Sequence, residues 1–201
     1  MSSWLSFESL WTANKATFSA SCSQFDTDNN SEAENANLKS AIQNISNSTG
    51  IDQRLILAIV MQESKGCVRV WTTKYSVANP GLMQSHAGTG SCNTGISTGG
   101  APTAGKISNP CPAASIQQMI HDGVAGTSSG DGLQQLHASS GGTNAGAQAY
   151  YKAARKYNSG SIASDGDLSS LDSVATVCYA TDVANRLMGT LTEGPTGCTL
   201  S

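Results

Sequence analysis

The sequence contains few charged residues and no excess of positive charge. Asp, Glu, Lys and Arg make up 12% of the 201 residues, and 11 Lys and Arg stand against 14 Asp and Glu, giving a net charge of −3. Proteins that bind nucleic acid or an anionic membrane surface need a basic patch, so both functions are disfavoured. Gly, Ser, Thr and Asn supply the polarity instead, which suits a secreted protein that handles neutral polymers.

The chain also lacks closely spaced cysteines and long apolar runs. Zinc-binding domains use close pairs such as C-x-x-C, so we predict no metal site, and nothing in the sequence implies a cofactor. No apolar run is long enough to span a membrane. The six scattered cysteines predict three disulfides, whose pairing the sequence does not determine: Cys22, Cys67, Cys92, Cys111, Cys178 and Cys198.

Disulfides imply an oxidising compartment, and three N-glycosylation sequons agree with it. The sequons begin at Asn29, Asn44 and Asn47. The N-terminal stretch MSSWLSFESLW lacks the basic and apolar segments of a signal peptide, so we expect a mature chain from which the signal peptide is missing. The combined features predict a secreted, extracellular protein.

Apolar periodicity predicts a mainly α fold with a small irregular or β element. That element follows the second predicted helix, and a long loop rich in Gly, Ser, Thr and Pro occupies residues 85–112. Residues 1–34 are interpreted as an N-terminal extension packed on a core domain of residues 35–201. The predicted helices cover residues 35–47, 53–64, 113–125, 133–138, 145–157 and 179–187.

Glu63 is the first candidate for a functional residue, because it ends a helix that is apolar on nearly every face. Asp52 is a good N-cap for this helix and Gly66 a good terminator. Partial burial of the Glu63 carboxyl would raise its pKa. A carboxylic acid that is still protonated near neutral pH is suited to donate a proton to the leaving oxygen in glycosidic bond cleavage.

Three short motifs extend this interpretation. The segment MQES at 61–64 is followed by GLMQ at 81–84 and by YNSG at 157–160. The trio resembles the goose-type lysozymes and soluble lytic transglycosylases, which belong to glycoside hydrolase family 23 in the broad sense. The segments VANPGLMQSH, PCPAASIQQMIHDG and YATDVANRL resemble more closely still a group of secreted fungal lysozyme-like proteins, some of which are muramidases. The resemblance covers roughly residues 50–190 and implies an α+β lysozyme-like fold.

The resemblance also implies roles for individual residues. Glu63 matches the general acid, Gln84 would line the cleft, and Tyr157 and Asn158 match residues that close over the acid and bind the sugar. Ser159 stands where the family usually has Ala. Ser85 and His86 replace residues that are usually apolar in bacterial relatives, and they are candidates for substrate contact.

The second carboxylate of a hydrolase is the missing part of the pattern. No Asp or Glu occurs between Glu63 and Asp122. Asp122 is therefore the best candidate for a base that activates water. Family 23 transglycosylases lack such a base, and there a group of the substrate performs the attack, so hydrolysis and transglycosylation both stay open.

The predicted function is that of a muramidase. It would cleave the β-1,4 bond between N-acetylmuramic acid and N-acetylglucosamine in bacterial peptidoglycan, as a monomer that needs no cofactor and binds neither nucleic acid nor membrane. The alternatives are a lytic transglycosylase with 1,6-anhydro products, a chitin or β-mannan hydrolase on the same fold, and a non-catalytic glycan-binding protein.

Overall fold

The computed structural model describes residues 1–169 and 175–190, which form a mainly helical structure with a small sheet. This confirms the predicted fold class at the level of a mainly α protein with a small β element. Eight α-helices and three strands are present in these residues: α1 (Phe7–Ala13), α2 (Lys15–Phe18), α3 (Glu32–Thr49), α4 (Gln53–Ser64), β1 (Thr72–Lys74), β2 (Ala78–Asn79), β3 (Ile96–Ser97), α5 (Ala113–Ala125), α6 (Leu133–Ala138), α7 (Ala147–Ser159) and α8 (Tyr179–Leu187). Two 3-10 helices, Ser21–Phe25 and Gly142–Ala145, complete the described helical structure.

Helix α4 is the central element, and it has the bounds that the sequence predicted. The Asp52 side chain caps its first turn by accepting a hydrogen bond from the Arg54 backbone N–H at 2.9 Å. All residues from Leu55 to Met61 are buried, which explains the apolar pattern on every face. The helix ends at Ser64 because both Lys65 and Gly66 adopt a positive φ.

The hydrophobic core surrounds α4 and includes side chains from the N-terminal residues. Helix α3 packs on α4 and α5, and α8 packs on α4. Phe7, Leu10, Trp11 and Phe18 are buried in the same core. Trp4 is also buried; its indole N–H donates to the Tyr151 hydroxyl at 2.9 Å, and the Arg54 guanidinium lies 4.9 Å from its ring centre.

The sheet follows α4 directly. Strand β1 pairs antiparallel with β2, where Thr73 lies opposite Asn79, and parallel with β3, where Thr72 lies opposite Ile96. Strand β3 lies inside the segment 85–112 that was predicted to be a loop. That prediction was wrong at this point because a two-residue strand has no periodicity, and its pairing partner lies in a distant part of the chain.

Two disulfides are complete within the described residues, and they confirm the prediction that cysteines of this chain form disulfides. Cys22 pairs with Cys67, and Cys92 pairs with Cys111. The first joins the N-terminal region to the end of α4, and the second closes the loop that contains β3. Cys178 is also disulfide-bonded, whereas Cys198 lies outside the described residues.

A buried ion pair fixes the segment between α4 and β1 to α3. The Glu34 carboxylate accepts a hydrogen bond from the Arg69 guanidinium, and both side chains are about fully buried, with 2% and 1% exposed. Glu34 also forms a capping box with Ser31 and accepts from the Cys111 backbone N–H at 2.7 Å. Burial alone would raise the pKa of Glu34, but these hydrogen bonds, led by that of Arg69, lower it.

Among the residues that the structure describes, no helix combines the length and the hydropathy needed to cross a membrane.

Candidate functional site

A cleft of about 1000 Å³ opens at the end of α4. Its walls come from the last turn of α4, the strands β1 and β2 with the turn after them, the loop between α5 and α6, the C-terminal end of α7, and residues 175–176. Five of the sequence-predicted residues line it together: Glu63, Gln84, His86, Tyr157 and Asn158. Residues separated by almost 100 positions in the sequence thus meet at one site.

The Glu63 carboxyl lies where the buried helix α4 reaches the cleft. The phenol of Tyr179, at the start of α8, donates a hydrogen bond to its Oε1. Burial raises the pKa of Glu63 from 4.5 to about 7, and the hydrogen bond from Tyr179 opposes this rise without cancelling it. A large share of the Glu63 carboxyl groups is therefore protonated near neutral pH.

Two phenols, those of the buried Tyr179 and the partly buried Tyr157, stand beside this acid. Tyr157 donates to the Met83 carbonyl at 2.8 Å, which ties the end of α7 to the GLMQ turn. Burial raises the pKa of both Tyr157 and Tyr179, and the negative charge of Glu63 raises it further. Both phenols are therefore neutral hydrogen-bond donors. Tyr179 was not predicted as a site residue, because its only local signal is its place at the start of a helical pattern.

Gln84 lies in the cleft wall with its side-chain amide engaged by the protein. Its oxygen accepts from the Thr73 hydroxyl at 2.8 Å, and its nitrogen donates to the carbonyls of Trp71 and Gly81 at 3.1 and 3.0 Å. Gln84 therefore connects the GLMQ turn to β1. The turn itself packs closely on α5, because a Cβ on Gly81 would lie 2.6 Å from the Met119 side chain.

Ser85 and His86 follow this turn and differ in their surroundings. Ser85 is 3% exposed and does not line the cleft, and its hydroxyl, near the Tyr157 phenol, makes no hydrogen bond within the described residues. His86 is exposed in the cleft wall, and its ring packs against Gly130, where a Cβ would lie 2.8 Å from the His86 side chain.

Asn158 lines the cleft and also forms hydrogen bonds within the protein. Its Oδ1 accepts hydrogen bonds from the Arg155 guanidinium and from the Thr176 backbone N–H, the latter at 3.0 Å. Arg155 is buried and also donates to the Thr176 carbonyl at 2.8 Å. Together they hold the segment that leads into Tyr179, and so they help to set the position of the phenol that contacts Glu63.

Two sequence-predicted residues, Ser85 and Asp122, are not among the residues that line the cleft. Asp122 is held by the protein itself. It is 6% exposed and absent from the cleft lining. Its Oδ2 accepts from the backbone N–H groups of Thr89 and Gly90 at 2.6 and 2.9 Å, and its Oδ1 accepts from Gln118 at 2.6 Å. The carboxylate therefore fixes the loop after the GLMQ turn onto α5.

Within the described parts of the chain, no three His, Cys, Asp or Glu side chains are grouped so that they could hold a metal ion. No family model, no curated protein and no solved structure matches this chain.

Proposed function

We propose that the protein is a glycoside hydrolase of the lysozyme type, which cleaves β-1,4 bonds between N-acetylmuramic acid and N-acetylglucosamine in peptidoglycan. The observation that carries the proposal is the Glu63 carboxyl, which faces a large cleft and has a pKa raised by burial to about 7. This acid is poised to give its proton to the leaving glycosidic oxygen while positive charge develops on the sugar ring.

The composition of the cleft supports an oligosaccharide ligand. Its volume is in the range of pockets that bind small-molecule ligands. Its lining combines neutral polar side chains with an exposed aromatic ring. Thr73, Asn79, Asn158 and Ser159 offer hydrogen-bonding groups, and Tyr75 is 78% exposed at the rim. Neutral polar groups and a flat ring suit the hydroxyls and apolar faces of sugar rings.

The proposed fold is the lysozyme-like fold of the family that the sequence resembles. Three relationships support it. Glu63 lies in the last turn of the central helix α4, and the GLMQ turn follows strand β2 of the small sheet. Tyr157 and Asn158 lie at the end of helix α7, at the same cleft. These are the three motifs that carry the resemblance, and here they share one site.

Peptidoglycan as the substrate implies an extracellular place of action, and we propose that the protein is secreted and acts as a monomer. The disulfides Cys22–Cys67 and Cys92–Cys111 support secretion. The sequon residues Asn29, Asn44 and Asn47 are exposed, as glycosylation requires.

The test is digestion of purified peptidoglycan, chitin and β-mannan by the wild-type protein and by Glu63→Gln. Mass spectrometry should find muropeptides with new reducing ends from peptidoglycan, and Glu63→Gln should lower the rate on the order of 10²–10⁴-fold. Glu32→Gln is the matched control, because Glu32 is exposed and lies outside the cleft lining; it should keep the wild-type rate.

The other outcomes identify the alternatives. Products with 1,6-anhydro ends would identify a lytic transglycosylase, and release from chitin or β-mannan alone would identify a different hydrolase. Binding to the insoluble wall without any released product would indicate a non-catalytic glycan-binding protein. An unchanged rate in Glu63→Gln would remove Glu63 from the mechanism.

A further inference from the structure

The cleft contains a second carboxylate that the sequence motifs did not indicate. Among the described residues that line it, the acidic side chains are Glu63 and Asp131. Asp131 lies in the loop between α5 and α6, on a different element from Glu63; it is exposed and lines the cleft. The cleft therefore brings together two carboxyl groups, as hydrolysis of a glycosidic bond requires.

The two carboxyl groups have contrasting surroundings. Glu63 is held at the end of a buried helix by Tyr179. In contrast, nothing in the described parts of the chain donates a hydrogen bond to Asp131 or forms an ion pair with it. Its oxygens are available to accept a hydrogen bond from water. A protonated acid and an exposed carboxylate in one site are suited to two different roles.

Asp131 is on a loop, but the two glycines that flank it are packed closely against other parts of the protein. A Cβ on Gly130 would lie 2.8 Å from the His86 side chain, and a Cβ on Gly132 would lie 2.3 Å from the Gly126 backbone nitrogen. Thr127 donates from its hydroxyl to the His86 carbonyl at 2.8 Å and from its backbone N–H to the Gly130 carbonyl at 2.9 Å. The residues on both sides of Asp131 are thus packed closely, which limits how far its backbone can move.

We propose that Asp131 is the general base that activates the attacking water, and that the reaction is hydrolysis with inversion. This assignment rests on the proposed function. Water bound to Asp131 gives one proton to that carboxylate as its oxygen forms a bond to the anomeric carbon. The bond from that carbon to the glycosidic oxygen breaks, and Glu63 gives its proton to the departing oxygen. The two carboxyl groups exchange protons with solvent to return to their starting states.

Asp122 does not compete for this role, because its two oxygens are engaged by Thr89, Gly90 and Gln118. A base in an inverting enzyme must leave room for a water molecule, which requires carboxyl groups roughly 6.5–9.5 Å apart. Inversion by this pair therefore requires such a gap between the carboxyl groups of Glu63 and Asp131.

The experiment compares the wild-type protein with Asp131→Asn, Asp131→Ala and the control Glu32→Gln, on peptidoglycan in ¹⁸O-labelled water, with and without azide. The Asn variant keeps the size of the side chain, and melting temperatures establish that each variant is folded. We expect both Asp131 variants to lose hydrolysis on the order of 10²–10⁴-fold. Azide needs no base, so it should restore cleavage by Asp131→Ala and leave a glycosyl azide of the α configuration.

Two results would overturn the assignment while leaving the proposed function intact. These are near-normal hydrolysis by the folded Asp131 variants and loss of activity that azide does not restore. Wild-type products with 1,6-anhydro ends and no ¹⁸O, or absence of any cleavage by the wild-type protein, would instead overturn the proposed hydrolysis, and the assignment of Asp131 with it. Labelled wild-type products together with azide-restored cleavage by Asp131→Ala would support both.

Discussion

The phenol of Tyr179 donates a hydrogen bond to the Glu63 carboxyl across a sequence separation of 116 residues. The hydrogen bond favours the ionised carboxylate, and burial favours the protonated acid. Burial is the larger effect, so the pKa of Glu63 stays well above the usual value for a Glu side chain. Tyr179 thus limits the rise of the pKa and also fixes the direction in which the acid points.

The first prediction concerns the pH dependence of activity. A general acid must be protonated, so kcat/KM should fall as the pH rises through the pKa of Glu63, about 7. Tyr179→Phe removes a hydrogen bond to the carboxylate, so the pKa should rise and the basic limb of the profile should move to higher pH. Initial rates on soluble peptidoglycan fragments between pH 4 and 9 would measure the basic limb of the wild type and of the variant.

Tyr150→Phe is the matched control for this shift. Tyr150 is a buried tyrosine that packs against Trp4 and His137 and is not part of the cleft lining, so its variant should keep the wild-type basic limb. A basic limb in Tyr179→Phe that is unmoved, or moved to lower pH, would contradict the role of the hydrogen bond.

The second prediction concerns the stability cost of the same acid. Because the folded-state pKa of Glu63 is above 4.5, its contribution to stability is fully present below about pH 4.5 and is lost as the pH rises through about 7. Glu63→Gln has no such loss. The free energy of unfolding of the variant, relative to that of the wild type, should therefore rise by up to about 3 kcal/mol between pH 4 and pH 8. Thermal or urea unfolding at both pH values measures this difference, and a constant difference would contradict the raised pKa.

The third prediction compares a buried ion pair with an exposed one. Glu34→Gln would leave the Arg69 guanidinium, which is 1% exposed, without its counter-charge. We expect a loss of about 3–5 kcal/mol in the free energy of unfolding. Glu8→Gln removes the exposed partner of Lys39, in a pair of 2.7 Å, and should cost less than about 1 kcal/mol. Equal losses in urea unfolding would contradict this difference.

The fourth prediction concerns the choice between charged and neutral glycans. Among the described lining residues, Lys156 is the one Lys or Arg, and its Nζ donates to the Ser139 carbonyl at 3.2 Å. Peptidoglycan carries carboxylates on its peptides, and chitin carries none. Lys156→Gln should therefore lower kcat/KM on peptidoglycan by about 1.5- to 5-fold, the range for an exposed charge pair, with little change on chitin oligosaccharides.

Lys152→Gln is the control for that measurement, because Lys152 lies one turn earlier on α7 and outside the cleft lining. It removes the same net charge from the molecule. A similar loss in both variants would show an effect of net charge, and an equal loss of Lys156→Gln on both glycans would contradict a role in choosing charged substrates.

The helices were predictable from sequence where their pattern is local. Helix α4 and helix α5 have the predicted bounds, because each has its own apolar spacing and a glycine at or just after its end; α4 also has the N-cap Asp52. In contrast, α1 and α2 were not predicted. They have seven and four residues, too short to be stable alone. They are helical because tertiary packing buries their aromatic residues, such as Trp11 against Phe18 at 4.6 Å between ring centres.

The site was predictable where its residues belong to motifs. Glu63, Gln84 and Tyr157 were found in this way, and the cleft brings them together. Tyr179 and Asp131 were not found, because the fold brings Tyr179 to the Glu63 carboxyl and Asp131 to the cleft, and no local sequence pattern marks either residue. The choice of Asp122 followed from its being the next acid along the sequence, whereas the backbone N–H groups of the neighbouring loop determine what its carboxylate does.

The burial of Trp4 has a consequence for proteolytic processing. The Trp4 ring contacts Arg54, at the start of the helix that carries Glu63, and its N–H bonds to Tyr151 on the helix that carries Tyr157. A protease that trimmed the chain after its fourth residue would remove this link without touching the cleft. Because the two helices would lose this shared contact, trimmed protein should melt at a lower temperature than the intact chain.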